Sequence, residues 1–351
     1  MSQNTFSKFY NKGEVKIVYL GGSITEGAGA SNKSRRWSTQ ITAYLNSLPL
    51  GNTAFTEINQ GIGGTESTYG MLRLERDVCA NNPDIVFIDF SLNDQGISEE
   101  LSAVMYEGII RRLMAMEKVP YVICIGVVGN KPKRTRACLH KKIAEHYGLC
   151  FIDVQEGMDK IMGEAAPAVN IARDALFRPD NTHPVEAGYD FYTEYIKSNL
   201  GEESFAKPYG EPIRADFCTF SGKFVNAEKF ARTGEWIPYG EGDWDEKNLG
   251  RSGSGLMSAS ADSSLSFEFF GKAFMLCYRL GRNFGKMSVT LDGKEEIIDL
   301  YYETDNQPVT GFSRFDLADT AHTLVIKPLG EKNEKSAAYD VKIDFVVTPN
   351  I

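Results

Sequence analysis

Val15-Lys16-Ile17-Val18-Tyr19-Leu20-Gly21-Gly22-Ser23-Ile24-Thr25 is the stretch from which the fold of the first half can be read. Residues 15–20 are an apolar run of strand length. Two glycines then let the chain turn sharply and let a ligand approach the backbone closely. Ser23 stands on that turn, where a serine could equally well cap a following helix. Three more segments follow or close short apolar runs: Asn59-Gln60-Gly61-Ile62-Gly63-Gly64, Ser91-Leu92-Asn93-Asp94 and Asp180-Asn181-Thr182-His183. All four are expected at one edge of a sheet.

Working outward, residues 15–20, 55–59, 85–90, 121–128 and 151–154 read as strands. Helical patterns separate them at 37–48, 68–78, 101–117 and 133–147, and a last one, 185–200, starts after Pro184. The near-continuous apolar runs suit a parallel sheet covered on both faces. The alternation predicts an α/β fold, a doubly wound, flavodoxin-like three-layer sandwich that takes its ligand at the carboxyl ends of the strands. Beyond residue 200 the pattern changes. Residues 201–212 are rich in Gly, Pro and charge, and strand signals dominate afterwards at 265–270, 273–280, 286–291, 296–300, 322–328 and 338–347. Asp292-Gly293 is a hairpin signal. The second half is therefore expected to be an antiparallel β-sandwich of jelly-roll type. The expected layout is a catalytic domain at 1–205, a linker at 206–216 and a sandwich at 217–351.

The 351 residues are 42% apolar and 24% charged, an ordinary globular balance. A net charge of −9 and the lack of a basic stripe argue against a nucleic-acid partner. The densest basic stretch, 131–142, reads as the solvated face of a helix. No apolar segment approaches the ~18 residues of a membrane span, and the N-terminus lacks a secretory pattern. The six cysteines form no CxxC pair, so buried reduced thiols and a cytoplasmic location are expected. No ligand spacing for a metal is present, and no cofactor is expected.

A serine attacks only when a base takes its proton. Four histidines are available. His140 and His146 lie in the Lys-rich helical stretch, where a solvated or helix-packing role is expected, and His322 opens a strand beside a turn, where a surface role is the default. His183 follows Asp180 by three residues in a polar loop. That spacing lets a carboxylate hold one imidazole nitrogen while the other faces the serine.

The four blocks, in this order, resemble the SGNH (GDSL-like) hydrolases over roughly the first 200 residues. The resemblance implies Ser23, Asp180 and His183 as the catalytic set. It implies an oxyanion hole of the Ser23 N–H, the Gly64 N–H, with Gly61 as runner-up, and the Asn93 side chain. Two positions depart from the usual pattern: Gly22 replaces the customary Asp, and Ser91 a Gly. Asp94 is expected to anchor its loop.

The second half looks similar to family 35 carbohydrate-binding modules through Phe267-Glu268-Phe269-Phe270-Gly271 and Val289-Thr290-Leu291-Asp292-Gly293. The two-domain layout resembles the acetyl-mannan esterases of carbohydrate esterase family 17, in which the module helps close the site over the sugar. That implies an acetylated oligosaccharide as substrate. Trp236 and Trp244, in a Gly- and acid-rich loop, are candidate sugar-stacking residues, with packing in the interdomain seam as the competing role. The polar loops 27–32 and 64–67 favour a small acyl group on a polar alcohol. A lipase or thioesterase, an acyltransferase, and a non-catalytic glycan-binding protein remain alternatives. Oligomeric state is not legible.

Overall fold

Five apolar runs of the first half pair in parallel as β1 (Glu14–Gly21), β2 (Ala54–Gly61), β3 (Ile85–Asp89), β4 (Tyr121–Gly126) and β5 (Cys150–Asp153). Their spatial order is β2-β1-β3-β4-β5. This computed structural model describes residues 6–130, 136–164, 173–205, 210–213, 222–240, 255–303 and 307–349. The chain divides into two units, Met1–Thr219 and Phe220–Ile351.

The helices of the first unit are α1 (Ser23–Glu26), α2 (Trp37–Ser47), α3 (Ser67–Leu72), α4 (Leu74–Asp77), α5 (Glu99–Met114), α6 (Ala137–His146), α7 (Val154–Glu164) and α8 (Glu186–Asn199). Every residue of β3 is buried, as a sheet covered on both faces requires. On one face Tyr19 stacks on Phe87 at 4.9 Å between centroids, and Trp37 meets both rings edge-on. Each such side chain contributes roughly 1.5–3 kcal/mol through burial. The chain runs from β1 out to β2 and returns across β1 to β3. The crevice at that reversal lies at the carboxyl ends of β1 and β3, which lead to Ser23 and Asn93.

Two local expectations change. The helix expected at 68–78 breaks at Arg73 into α3 and α4. α7 was not legible, because Gln155-Glu156-Gly157 interrupts its apolar spacing. Gly157 is needed there: a Cβ would fall 2.1 Å from the Tyr195 ring of α8.

The second unit is antiparallel. One sheet runs β13 (Lys294–Asp299), β12 (Gly285–Leu291), β15 (Ala321–Lys332), β10 (Ser264–Phe270), β7 (Ala231–Thr233). The other runs β14 (Gln307–Arg314), β11 (Phe274–Leu280), β16 (Val341–Pro349), β9 (Gly255–Ser258), β8 (Ile237–Tyr239), and β6 (Gly222–Asn226) also pairs with β16. The short strands β6–β9, and β14, carry too few apolar residues to be read from sequence. Asp292 and Gly293 turn the β12–β13 hairpin with φ of 50° and 83°, as a two-residue loop demands. A buried ion pair, Arg279 to Asp344 at 2.7 Å, joins β11 to its neighbour β16.

Candidate active site

The turn after β1 works only with glycine. A Cβ on Gly21 would fall 2.4 Å from Thr25 Oγ1, and one on Gly22 would fall 2.4 Å from Asn93 Oδ1. Removing both side chains lets Ser23 open α1 with the Asn93 side chain lying against the residue before it. Ser23 is 8% exposed. Its hydroxyl lies 2.9 Å from His183 Nε2, and His183 Nδ1 lies 2.9 Å from Asp180 Oδ2. A carboxylate can only accept, so the Nδ1 proton is held toward Asp180 and Nε2 is left to accept from serine. Asp180 Oδ1 also accepts the N–H groups of Thr182 and His183, both at 2.9 Å. Desolvation works against the Asp180 charge, but these backbone bonds and the imidazole outweigh it and hold its pKa at about 2.

The loop carrying this pair is closed at its base. Phe177 and Pro184 form an antiparallel bridge, and the Val185 N–H donates to the Leu176 carbonyl at 2.9 Å. Asn181 takes a left-handed turn at φ 57°. Asn130, in the loop after β4, grips it from outside. Its side-chain amide donates to Asn181 Oδ1 and Asp174 Oδ1, both at 2.8 Å, and its N–H donates to the Asn181 carbonyl at 2.9 Å. Tyr189 of α8 donates to the carbonyls of Ala28 at 2.9 Å and Ile24 at 3.2 Å, which ties the histidine side to the serine side. The sequence reading missed both Asn130 and Tyr189, and neither sits in a motif.

The glycine-rich loop after β2 separates its donors. The Gly61 N–H is committed to Asn59 Oδ1 at 3.0 Å, and a Cβ on Gly61 would strike the α1 backbone at 2.1 Å. The Gly63 N–H is committed to Glu26 Oε2 at 2.8 Å. Gly64 is exposed at φ 73°, with nothing within 4 Å of a built Cβ. Among the described residues its N–H has no hydrogen-bond partner. Of the two glycines the sequence left open, Gly64 is the one with a free donor.

Asp94 is fully buried and joins this loop to the Asn93 turn. It accepts from Ser67 N–H, Ser67 Oγ and Ser102 Oγ, each at 2.7 Å, and from His140 Nε2 at 3.1 Å. Of the two roles expected of it, His140 takes the packed one and not the solvated one. Its ring is 0% exposed and stacks on Tyr106 at 3.7 Å, and burial pushes its pKa below the ordinary value despite Asp94. Ser91 also fits its place, because its buried hydroxyl donates to the Val127 carbonyl at 3.0 Å. Two polar side chains of the 64–67 loop likewise turn inward: Thr65 bonds the Ile62 carbonyl at 2.6 Å, and Ser67 bonds Asp94. They build the loop and do not make its outer surface polar. Asp89, at the end of β3, accepts from Thr25 Oγ1 at 2.8 Å, while its other oxygen has no partner among the described residues. Burial pushes its pKa up to about 7, against the Thr25 bond.

The other candidates lie elsewhere. Trp236 is 7% exposed within the sandwich core, packed among residues such as Phe230 and Leu256, which corrects its expected role as a sugar-stacking ring. Trp244 lies outside the described residues. His146 is exposed and lies 2.7 Å from the Glu211 carbonyl. His322 is buried, not a surface residue, between Asp292 and the Ala318 carbonyl. Among the described residues no three His, Cys, Asp or Glu are grouped to hold a metal. No helix among them is long and apolar enough to cross a membrane.

Residues 19–191 match the GDSL-like lipase/acylhydrolase family, and Ser23, Gly64, Asn93, Asp180 and His183 all fall within that match. An acetylxylan esterase of Geobacillus stearothermophilus is 25% identical over 217 residues, 54% of this chain and 94% of that one. Among solved structures, a two-domain esterase active on acetylated mannans is similar at a TM-score of 0.74 and 22% identity, over 97% of this chain and 92% of that one. The same esterase crystallised with mannopentaose gives 0.74 over 96% of this chain. At that identity the likeness speaks for the fold, and it extends through both units. The first unit of this chain is a GDSL-like hydrolase domain.

Proposed function

We propose that this protein removes acetyl groups from carbohydrate hydroxyls through an acyl-enzyme on Ser23. The observation that carries the reading is the Asp180–His183–Ser23 relay, 2.9 Å at each step, beside the uncommitted Gly64 N–H. Ser23 Oγ attacks the acetyl carbonyl as its proton passes to His183 Nε2. The oxygen of the tetrahedral intermediate meets the Ser23 and Gly64 N–H groups and the Asn93 amide. Collapse expels the sugar hydroxyl, which takes the proton from His183. Water then repeats the sequence on the acetyl-serine and releases acetate.

The acetylated-sugar substrate is supported by the relatives, one an acetylxylan esterase and one active on acetylated mannans. The two-unit layout shared with the latter favours mannan-derived oligosaccharides. The test is acetate release from acetylated manno- and xylo-oligosaccharides, run beside p-nitrophenyl acetate and octanoate. The reading expects the acetylated manno-oligosaccharide to lead, acetate to exceed octanoate, and Ser23→Ala to abolish turnover. A maximum at octanoate would replace it with a lipase-type activity.

A further inference from the structure

Beneath the turns that carry Ser23 and Gly64 lies a guanidinium that the chemistry above does not use. Arg73, at the break between α3 and α4, is 0% exposed. Its Nη2 donates to the Gly21 carbonyl at 3.0 Å, and its Nη1 to the Gln60 carbonyl at 2.7 Å and to Asp77 Oδ2 at 3.0 Å. Gly21 ends β1, and Gln60 is one residue from the end of β2, in a register that pairs Gly21 with Gly61. Ser23 comes two residues after the first contact and Gly64 four residues after the second. One planar fork therefore spans the two strand ends that lead to the nucleophile and to the free glycine donor.

A charged group this deep is costly, and burial pulls the Arg73 pKa below its ordinary value, with Asp77 opposing. Asp77 is shared with Arg76, and Arg73 Nε has no partner among the described residues. Strand pairing already joins β1 to β2, so cohesion alone does not call for a guanidinium. What the fork adds is a fixed distance between two carbonyls, which its rigid geometry sets and a lysine cannot.

We propose that Arg73 is a positioning residue: it sets the spacing between Ser23 and the Gly64 N–H, so that the oxygen of the tetrahedral intermediate meets that donor. The proposal rests on the acyl-transfer reading of the site. A donor misplaced by about an ångström costs on the order of 10²-fold in rate, and the loss falls on the transition state. Arg73→Lys should therefore lower kcat on p-nitrophenyl acetate by about 10- to 100-fold per active serine and leave KM within about threefold. Active serines are counted with a fluorophosphonate, which binds Ser23 Oγ as fluoride leaves. Binding of a phenylboronic acid should weaken by the same factor as kcat/KM. Its boron bonds to Ser23 Oγ while His183 takes the proton, which places a boronate oxygen at the same donors.

Asp77→Asn keeps the fork on both carbonyls and removes its counter-charge. It should lower thermal stability and leave kcat per active serine unchanged. The proposal is overturned if Arg73→Lys keeps kcat per active serine within about twofold of wild type, whatever its melting temperature. It is equally overturned if Asp77→Asn lowers kcat per active serine by about 10-fold or more relative to wild type, a comparison that stands even if Arg73→Lys does not fold. Ser23→Ala separates the two claims, because full activity there sinks the acyl-transfer reading itself.

Discussion

Two aspartate–histidine pairs, one in each unit, use the same contact to opposite ends. In the first unit His183 Nδ1 meets Asp180 at 2.9 Å; in the second, His322 Nδ1 meets Asp292 at 2.6 Å. Each aspartate also accepts backbone N–H groups, from Thr182 and His183 in one case and from Thr323 in the other. What differs is the far nitrogen. His183 Nε2 meets a serine hydroxyl, which can donate, so a neutral imidazole is satisfied and ready to accept a proton. His322 Nε2 meets the Ala318 carbonyl at 2.8 Å, which can only accept. Both nitrogens of His322 must then carry protons. Desolvation opposes that charge, but Asp292 and the carbonyl outweigh it and raise the pKa. One pair is arranged for proton transfer and the other is a charged fastener on a hairpin. The carboxylate contact alone does not distinguish them.

The sharpest way to break the comparison is to remove each ring. His183→Ala should lower kcat/KM on p-nitrophenyl acetate by about 10⁴-fold or more, whereas His322→Ala should leave it within about twofold. Comparable losses would show that the far partner does not decide the role. Asp180→Asn comes next, at roughly 10²- to 10⁴-fold, because it misorients the base without deleting it. Asp180 also predicts a pH effect. Its folded pKa is depressed to about 2, so the stability it adds is present above the ordinary carboxylate range and is lost as pH falls from about 4 toward 2. Melting curves of Asp180→Asn should lack that part of the acid slope.

Asp89 sharpens the contrast as a carboxyl with no histidine at all. Its folded pKa of about 7 means that the native state keeps the proton while the unfolded chain ionises near 3.8. Stability should therefore fall as pH rises from about 4 to about 7, by an amount on the order of a few kcal/mol. Asp89→Asn should flatten the melting temperature across that window, and an unchanged slope would refute the assignment. The smallest effect is expected at the hairpin. The raised His322 pKa gives stability that is complete below the ordinary histidine range and is lost as pH rises through the folded value. His322→Gln should remove this slope, which begins in the ordinary histidine range and runs to higher pH, at a cost of about 1 kcal/mol on the acid side, read from melting of the full chain.

The Asp180–His183 pair was legible because a three-residue loop spacing is almost covalent geometry, and it needs little knowledge of the rest of the chain. The strand-turn blocks around Ser23, Gly64 and Asn93 were legible for a related reason: a parallel sheet gathers all its carboxyl ends on one edge, so apolar runs followed by small residues already predict where the turns meet. Residues whose meaning depends on a distant partner were not. Arg73 finds carbonyls 13 and 52 positions away, and Asn130 holds a loop 51 positions away. Glu26 fixes Gly63 across 37 positions. His140 looks like one of several polar residues on a basic helix until α5 and the Asn93 turn close over it, and Trp236 looks like a loop residue until the sandwich buries it. Periodicity records which face of an element is apolar. It carries no record of which acceptor a buried donor will meet, because that is settled only when packing brings the two within about 3 Å.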